Sequence, residues 1–102
     1  MTRPPSKDFK PGELDFLQDA DAAAVYLEDC LADGDLALFK AALKDVAEAR
    51  LGGVAALAEE TGYSRETLYR TLSAQGNPKL DTLNDLLHAM GLRIAVAAEA
   101  VP

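Results

Sequence analysis

The stretch LAEETGYSRETLYRTLSAQGNP, residues 57–78, decides the fold, because it places two short helical patterns on either side of a glycine. Gly62 stands where a left-handed residue would end the first helix. Ser64 can cap the second helix, since its side-chain oxygen can accept from the free amides of the first turn. Apolar residues on both sides of the turn would fix the angle between the helices: Leu57, Ala58, Leu68 and Leu72.

Two helices joined this tightly are the layout of a helix-turn-helix, whose second helix enters the major groove of DNA. Arg65 and Arg70 could then reach guanine edges or phosphates, and Glu66 could accept from a cytosine amine. Thr67 could meet a thymine methyl or a phosphate, and Lys79 is placed for a backbone phosphate. Glycine-hinged hairpins also occur in proteins that never meet DNA, so the pattern alone leaves both interpretations open.

The rest of the chain also favours helix, since alanine and leucine dominate and aromatic residues make up only 6%. A first helix capped by Asp19 or Asp21 and ended by Gly34 is predicted from apolar residues three and four apart. Its expected inward stripe is Leu17, Ala20, Ala24, Leu27 and Leu31.

Two more helices show the same spacing. One follows Asp35 and ends at Gly52-Gly53, with Leu36, Phe39, Leu43 and Val46 inward and with Lys40, Lys44, Asp45 and Glu48 expected to face water. A short helix with inward Val54, Leu57 and Ala58 precedes Gly62, and the last helix carries Leu80, Leu83, Leu87 and Met90 and ends at Gly91.

The sequence therefore predicts one all-α domain of about five helices over residues 15–97. Residues 1–14 are expected to be a flexible segment, because they are rich in proline and mixed charge. Residues 98–102 are expected to be a tail. The run from Leu92 to Val96 alternates β-prone residues, so it is either a short strand or a frayed end of the chain.

Composition narrows the function classes. The net charge is -7, so binding to nucleic acid would need a local basic patch. Cys30 and His88 are the single residues of their types and have no partners at metal-ligand or catalytic spacing, so no metal site, cofactor or enzyme activity is expected. No apolar run is long enough for a membrane span, and no secretory signal is visible, which predicts a cytoplasmic protein.

The run YLEDCLADGDLALFKAALKDVAEA followed by LAEETGYSRETLYRTLSAQGNPKLDTLNDLLHAMGLRIAV resembles the probable addiction-module antidote family. These are small antitoxins with a lambda-repressor-like (XRE-type) helix-turn-helix, related to HigA-type antitoxins. The resemblance implies a type II antitoxin that binds a RelE/HigB-like toxin and represses its own operon as a homodimer on operator DNA. It places DNA-contacting residues on and just after the recognition helix: Ser64, Arg65, Glu66, Thr67, Tyr69, Arg70, Asn77 and Lys79.

One departure bears on affinity for DNA. Many XRE-type domains begin the first helix of the pair with a polar cap and a glutamine, whereas this chain has Gly53-Val54-Ala55. Phosphate would be held there by backbone amides alone, which predicts weak DNA binding by the free protein. A basic toxin would give the complex a better-balanced charge toward DNA.

Several alternatives stay open. The acidic region from Asp15 to Asp33 is a candidate toxin-binding surface. It can also be a packed helix with a solvated acidic face, and both can be true together. The surface of the last helix with Leu92 to Val96 is the expected dimer contact, where an edge strand could pair with its twofold mate. The chain could instead be a stand-alone DNA-binding regulator, or an interaction module whose helix pair no longer binds DNA.

Overall fold

The computed structural model describes residues 12–100, and within that range every regular element is a helix, as predicted. Most of the segment 1–14 and the end of the segment 98–102 lie outside the described residues. A 3-10 turn, Asp15–Gln18, precedes five helices: α1 Ala20–Ala32, α2 Leu36–Leu51, α3 Val54–Thr61, α4 Arg65–Thr71 and α5 Leu80–Ala89. No helix among the described residues is both long and apolar enough to cross a membrane.

The predicted caps set the helix boundaries. Of the two candidates at the start of α1, Asp19 is the cap, with its carboxylate 2.8 Å from the amide nitrogen of Ala22. Asp35 caps α2 in the same way. Gly52 ends α2 at a φ of 97°, a left-handed conformation that favours glycine.

The helices pack in two neighbouring groups that share α2. Helix α1 contacts α2 and the 3-10 turn, whereas α3 contacts α2, α4 and α5. Leucines fill most of the fully enclosed positions, joined by Val46, Cys30 and Met90: Leu17, Leu43, Leu57, Leu68, Leu72 and Leu86. The recognition-helix candidate α4 therefore lies away from α1, on the other side of the shared core.

The predicted inward stripe of α1 was wrong in part. The buried residues of α1 are Ala23, Tyr26, Leu27 and Cys30, whereas Leu31 is 47% exposed. In α5, likewise, Leu86 is buried although the pattern did not select it, and Leu80 is 70% exposed. Both helices are apolar on more than one face, so spacing alone could not tell which stripe meets the core.

Two charged residues predicted to face water on α2 are buried. Asp45 accepts a hydrogen bond of 2.9 Å from the hydroxyl of Tyr26, which is itself buried. Lys40 is 6% exposed and donates to backbone carbonyls near the end of α4. Both groups are tolerated inside because hydrogen bonds replace the water that they lose.

The predicted alternative of a strand at Leu92–Val96 is not formed in the described part of the chain. Residues 92–100 have no regular secondary structure. An extended segment needs a neighbouring strand to satisfy its backbone groups, and every regular element from residue 12 to residue 100 is a helix.

Candidate nucleic-acid interface

The turn between α3 and α4 has the geometry that the sequence predicts. Gly62 adopts a φ of 83°, and its amide closes α3 by donating to the carbonyl of Ala58. Ser64 then caps α4, because its hydroxyl oxygen lies 3.0 Å from the amide nitrogen of Thr67. These contacts fix the entry into α4, while Leu68 and Leu72 anchor its inner face in the core.

The outer face of α4 presents Arg65, Glu66, Tyr69 and Arg70 to solvent. The Tyr69 side chain is 56% exposed, which is unusual for an aromatic ring without a partner surface. Two arginines, a carboxylate and an aromatic ring lie on one exposed face. Side chains of these kinds can form hydrogen bonds with base edges and can contact the phosphate backbone.

The hydroxyls of Ser64 and Thr67 bond to each other, so they are less available to DNA than the sequence suggested. The Ser64 hydroxyl donates to the Thr67 hydroxyl oxygen at 2.8 Å, in addition to accepting from the Thr67 amide. Thr67 is half-buried. Their first role is to hold the start of α4, and only the remaining hydroxyl hydrogen of Thr67 is left to donate outward.

The loop after α4 carries Asn77 and Lys79, which are both exposed. Gly76 packs so tightly against the carbonyls of Arg70 and Thr71 that a Cβ atom at this position would collide with backbone. The ammonium of Lys40 donates to the carbonyls of Ala74 and Gly76. This buried lysine therefore fixes the loop that carries Asn77 and Lys79.

Lys40 and Gly76 hold the loop of the candidate site in place, and the sequence did not predict this role for either residue. Lys40 lies 34 residues before the loop in the chain, so no local pattern connects it to Ala74. Gly76 lies only a few residues after α4 in the sequence, but its close approach to the carbonyls of Arg70 and Thr71 depends on the fold.

A side-chain hydrogen bond joins the turn to α5. The Tyr63 hydroxyl donates to the Asp85 carboxylate at 2.8 Å. A hydrogen bond with Thr82 acts to lower the pKa of Tyr63, but the hydrogen bond to Asp85 and the negative charge there prevail, so that the pKa lies above its ordinary value. The hydroxyl stays protonated at neutral pH and keeps this bond.

The start of α3 is poorly equipped to hold phosphate. Gly53 occupies the cap position without a side-chain hydrogen bond. The carboxylate of Glu48 lies close by, 3.1 Å from where a Cβ of Gly53 would stand. A negative charge at that place opposes an incoming phosphate.

Within residues 12–100, no group of three or more histidine, cysteine or acidic side chains could hold a metal ion. Burial, followed by the negative charges of Asp33 and Asp29, raises the pKa of the Cys30 thiol. Cys30 is therefore a small protonated core residue.

Comparison with known proteins gives a family. A family model described as "Probable addiction module antidote protein" matches residues 8–98. An uncharacterized protein of Haemophilus influenzae strain Rd is 34% identical over 90 residues, which span 88% of this chain and 89% of that protein. No solved structure matches the chain significantly.

Proposed function

Because this chain belongs to the family of probable addiction module antidote proteins, we propose that it is the antitoxin of a type II toxin-antitoxin module. It neutralises a small RelE/HigB-like toxin by binding it directly in the cytoplasm. The observation that carries the proposal is the family match, which spans nearly the whole chain. Antidote proteins of this kind are regulatory rather than enzymatic.

The second part of the proposed function is repression of its own operon. In this proposal α3 and α4 form a lambda-repressor-like helix-turn-helix, and α4 is the recognition helix. Arg65, Glu66 and Arg70 read base edges, with Thr67 reaching a phosphate or a thymine methyl. The exposure of α4 supports this assignment, because Arg65, Glu66 and Arg70 are exposed and only Thr67 of these four is half-buried.

Contacts to the DNA backbone are proposed for Ser64, Tyr69, Asn77 and Lys79. The segment from residue 63 to residue 79 carries three basic side chains against one acidic one, although the chain as a whole has a charge of -7. A twofold pair of chains would place two such faces about one DNA turn apart (~34 Å) and so multiply specificity.

Free antitoxin should bind DNA weakly. The start of α3 lacks a side-chain anchor and has Glu48 beside it, and the overall charge repels phosphate. A basic toxin would neutralise part of that charge. The complex is therefore expected to bind the operator more tightly than the antitoxin alone.

The repression half is tested by fluorescence anisotropy with a duplex from upstream of the gene that encodes this chain. Arg70→Ala should weaken binding by roughly tenfold and lower the slope of log K against log salt by about one. Lys44→Ala removes one positive charge on α2, outside the proposed interface and outside the expected dimer contact, and is the matched control. Equal losses for the two variants would contradict the assignment of α4.

The neutralisation half is tested by co-expression with the product of the adjacent gene and affinity purification through a tag on this chain. A stoichiometric complex is expected. Absence of a complex, together with sequence-specific binding to the upstream duplex, would instead favour a stand-alone DNA-binding regulator.

A further inference from the structure

An apolar groove runs along the molecule between α1 and α5. Its walls are the α1 residues Ala24, Leu27 and Leu31 and the α5 residues Leu83 and Leu87, and residues 91–95 also line it. The groove has a volume of about 770 Å³. It opens to solvent, since Leu31 is 47% exposed and Ile94, which also lines it, is 37% exposed.

The walls of this groove are the stripes that the sequence pattern had assigned to the core. Ala24 and Leu31 on α1, and Leu80 and Leu83 on α5, continue the apolar spacing but are not buried. The groove stripe of each helix begins at the core, through Leu27 on α1 and Leu87 on α5, and continues to Leu31 and Leu80, which the described chain leaves exposed. Exposed apolar side chains that face one groove from two helices are typical of a surface that a partner covers.

The charges around the groove indicate the partner. Asp21 and Glu28 line it from α1, while His88 and Arg93 line it from the opposite wall. Between Pro11 and Phe39 the chain has eight aspartates and glutamates and not one lysine or arginine. The field on the α1 side is therefore strongly negative, and it attracts a basic partner.

A second copy of this chain fits the groove less well. Each copy carries a net charge of -7, and α1 is its most acidic element, so a twofold contact along α1 would bring like charges together. The groove is also open to solvent, whereas a small-molecule site buries most of the surface of its ligand. These observations favour a basic protein segment that brings apolar side chains.

We propose that the groove between α1 and α5 is the docking site for a basic segment of the partner protein, with apolar anchors that pack on Leu31 and lysines or arginines that meet Glu28. The inference rests on the proposed antitoxin function, since it names the surface that holds the toxin. Helix α1 contacts α2 and the 3-10 turn, not α4, so the docked partner leaves the face of α4 free for DNA.

Arg50 links the chain just before α1 to the end of α5, the two helices that form the walls of the groove. Its guanidinium donates to the carbonyl of Met90, at the end of α5, and to the carbonyl of Gln18, just before α1. It also lies against Gly91, where a Cβ would stand 3.0 Å from the guanidinium. The groove is therefore present before a partner binds, which reduces the entropy that binding would cost.

The test uses the full-length chain and the purified product of the adjacent gene, with affinity measured by calorimetry. Leu31→Gln removes an anchor without changing the charge, and Val25→Gln is its control, because Val25 is 58% exposed on the same helix but outside the groove. Glu28→Lys reverses a charge at the groove, and Glu59→Lys does so on α3, where Glu59 is exposed. All four positions lie on the surface or at its edge, and circular dichroism verifies the helices.

We expect Leu31→Gln and Glu28→Lys each to weaken binding at least tenfold, and the two controls to change it less than about threefold. The effect of Glu28→Lys should shrink as salt rises. If wild-type chain binds the partner and the groove variants bind as well as the controls, the groove assignment is wrong while the antitoxin function stands. If wild-type chain does not bind the partner, both fail.

A third outcome would assign the groove to a second copy. Light scattering on the same four variants reports the mass of the free chain. A wild-type dimer that Leu31→Gln converts to monomers, while Val25→Gln does not, would overturn the proposed occupant. An unchanged mass combined with lost partner binding supports it.

Discussion

Replacing Lys40 with methionine tests how the loop that follows α4 is held in place. Methionine keeps most of the apolar stem and removes the ammonium, which donates to the carbonyls of Ala74 and Gly76 at 2.9 and 2.5 Å. Hydrogen bonds that involve a charged group contribute roughly 1.5–3 kcal/mol each to stability, so the two together set an upper limit of about 3–6 kcal/mol for the loss.

The expected loss of stability is smaller than this upper limit for two reasons. Ala74 is exposed and Gly76 half-buried, so water can reach the freed carbonyls, and the variant no longer buries an ammonium that is 6% exposed. We expect a net destabilisation of about 2 kcal/mol, which lowers the melting temperature of a domain of this size by roughly 10 °C.

The assay is thermal unfolding followed by circular dichroism, with Lys44→Met as the control. Lys44 lies one turn further along α2 and is half-buried. The control should change stability by less than about 0.5 kcal/mol. Equal melting temperatures for the two variants would refute the structural role assigned to Lys40.

Three further predictions concern the core and the loop. Tyr26→Phe removes a hydroxyl that donates to a buried carboxylate and should cost about 1–3 kcal/mol in urea unfolding, while Tyr69→Phe, at an exposed ring, should be nearly neutral. Gly76→Ala should destabilise more than Gly62→Ala, because a Cβ at residue 76 meets backbone whereas one at residue 62 meets open space at a φ of 83°; the reverse order in melting temperature would contradict the packing described. The pKa of the Cys30 thiol is raised in the folded chain, so the unfolded chain ionises first as pH rises. The contribution of this thiol to the free energy of unfolding is therefore complete below about pH 8.5, the ordinary thiol pKa, and is lost as pH rises through the pKa of the folded chain. Unfolding free energy should therefore fall above that pH in the wild type more steeply than in Cys30→Ala, and parallel curves would refute this.

The sequence was a good guide to the fold wherever the signal is local. Gly62, Ser64 and Asp35 act as predicted because capping depends on residues a few positions apart. Buried charge could not be predicted in the same way. Lys40 and Asp45 find partners 34 and 19 residues away in the chain, so their burial depends on how the helices pack.

The candidate site was predictable to a similar degree. The exposed side chains of Arg65, Glu66 and Arg70 follow from the spacing of Leu68 and Leu72 on the opposite face. The engagement of Ser64 and Thr67 with each other did not follow from spacing. The groove was missed because two apolar stripes on one helix look alike in sequence, and only packing decides which of them a neighbouring helix covers.

The most direct test of the antitoxin function is growth of cells that express the adjacent gene from one inducible promoter and this chain from another. We expect that the adjacent gene alone arrests growth and that this chain restores it. Arg65→Ala combined with Arg70→Ala should restore growth as well as wild type, because neutralisation uses a different surface from DNA binding. Growth arrest that this chain fails to relieve, or an adjacent gene without toxicity, would contradict the antitoxin function.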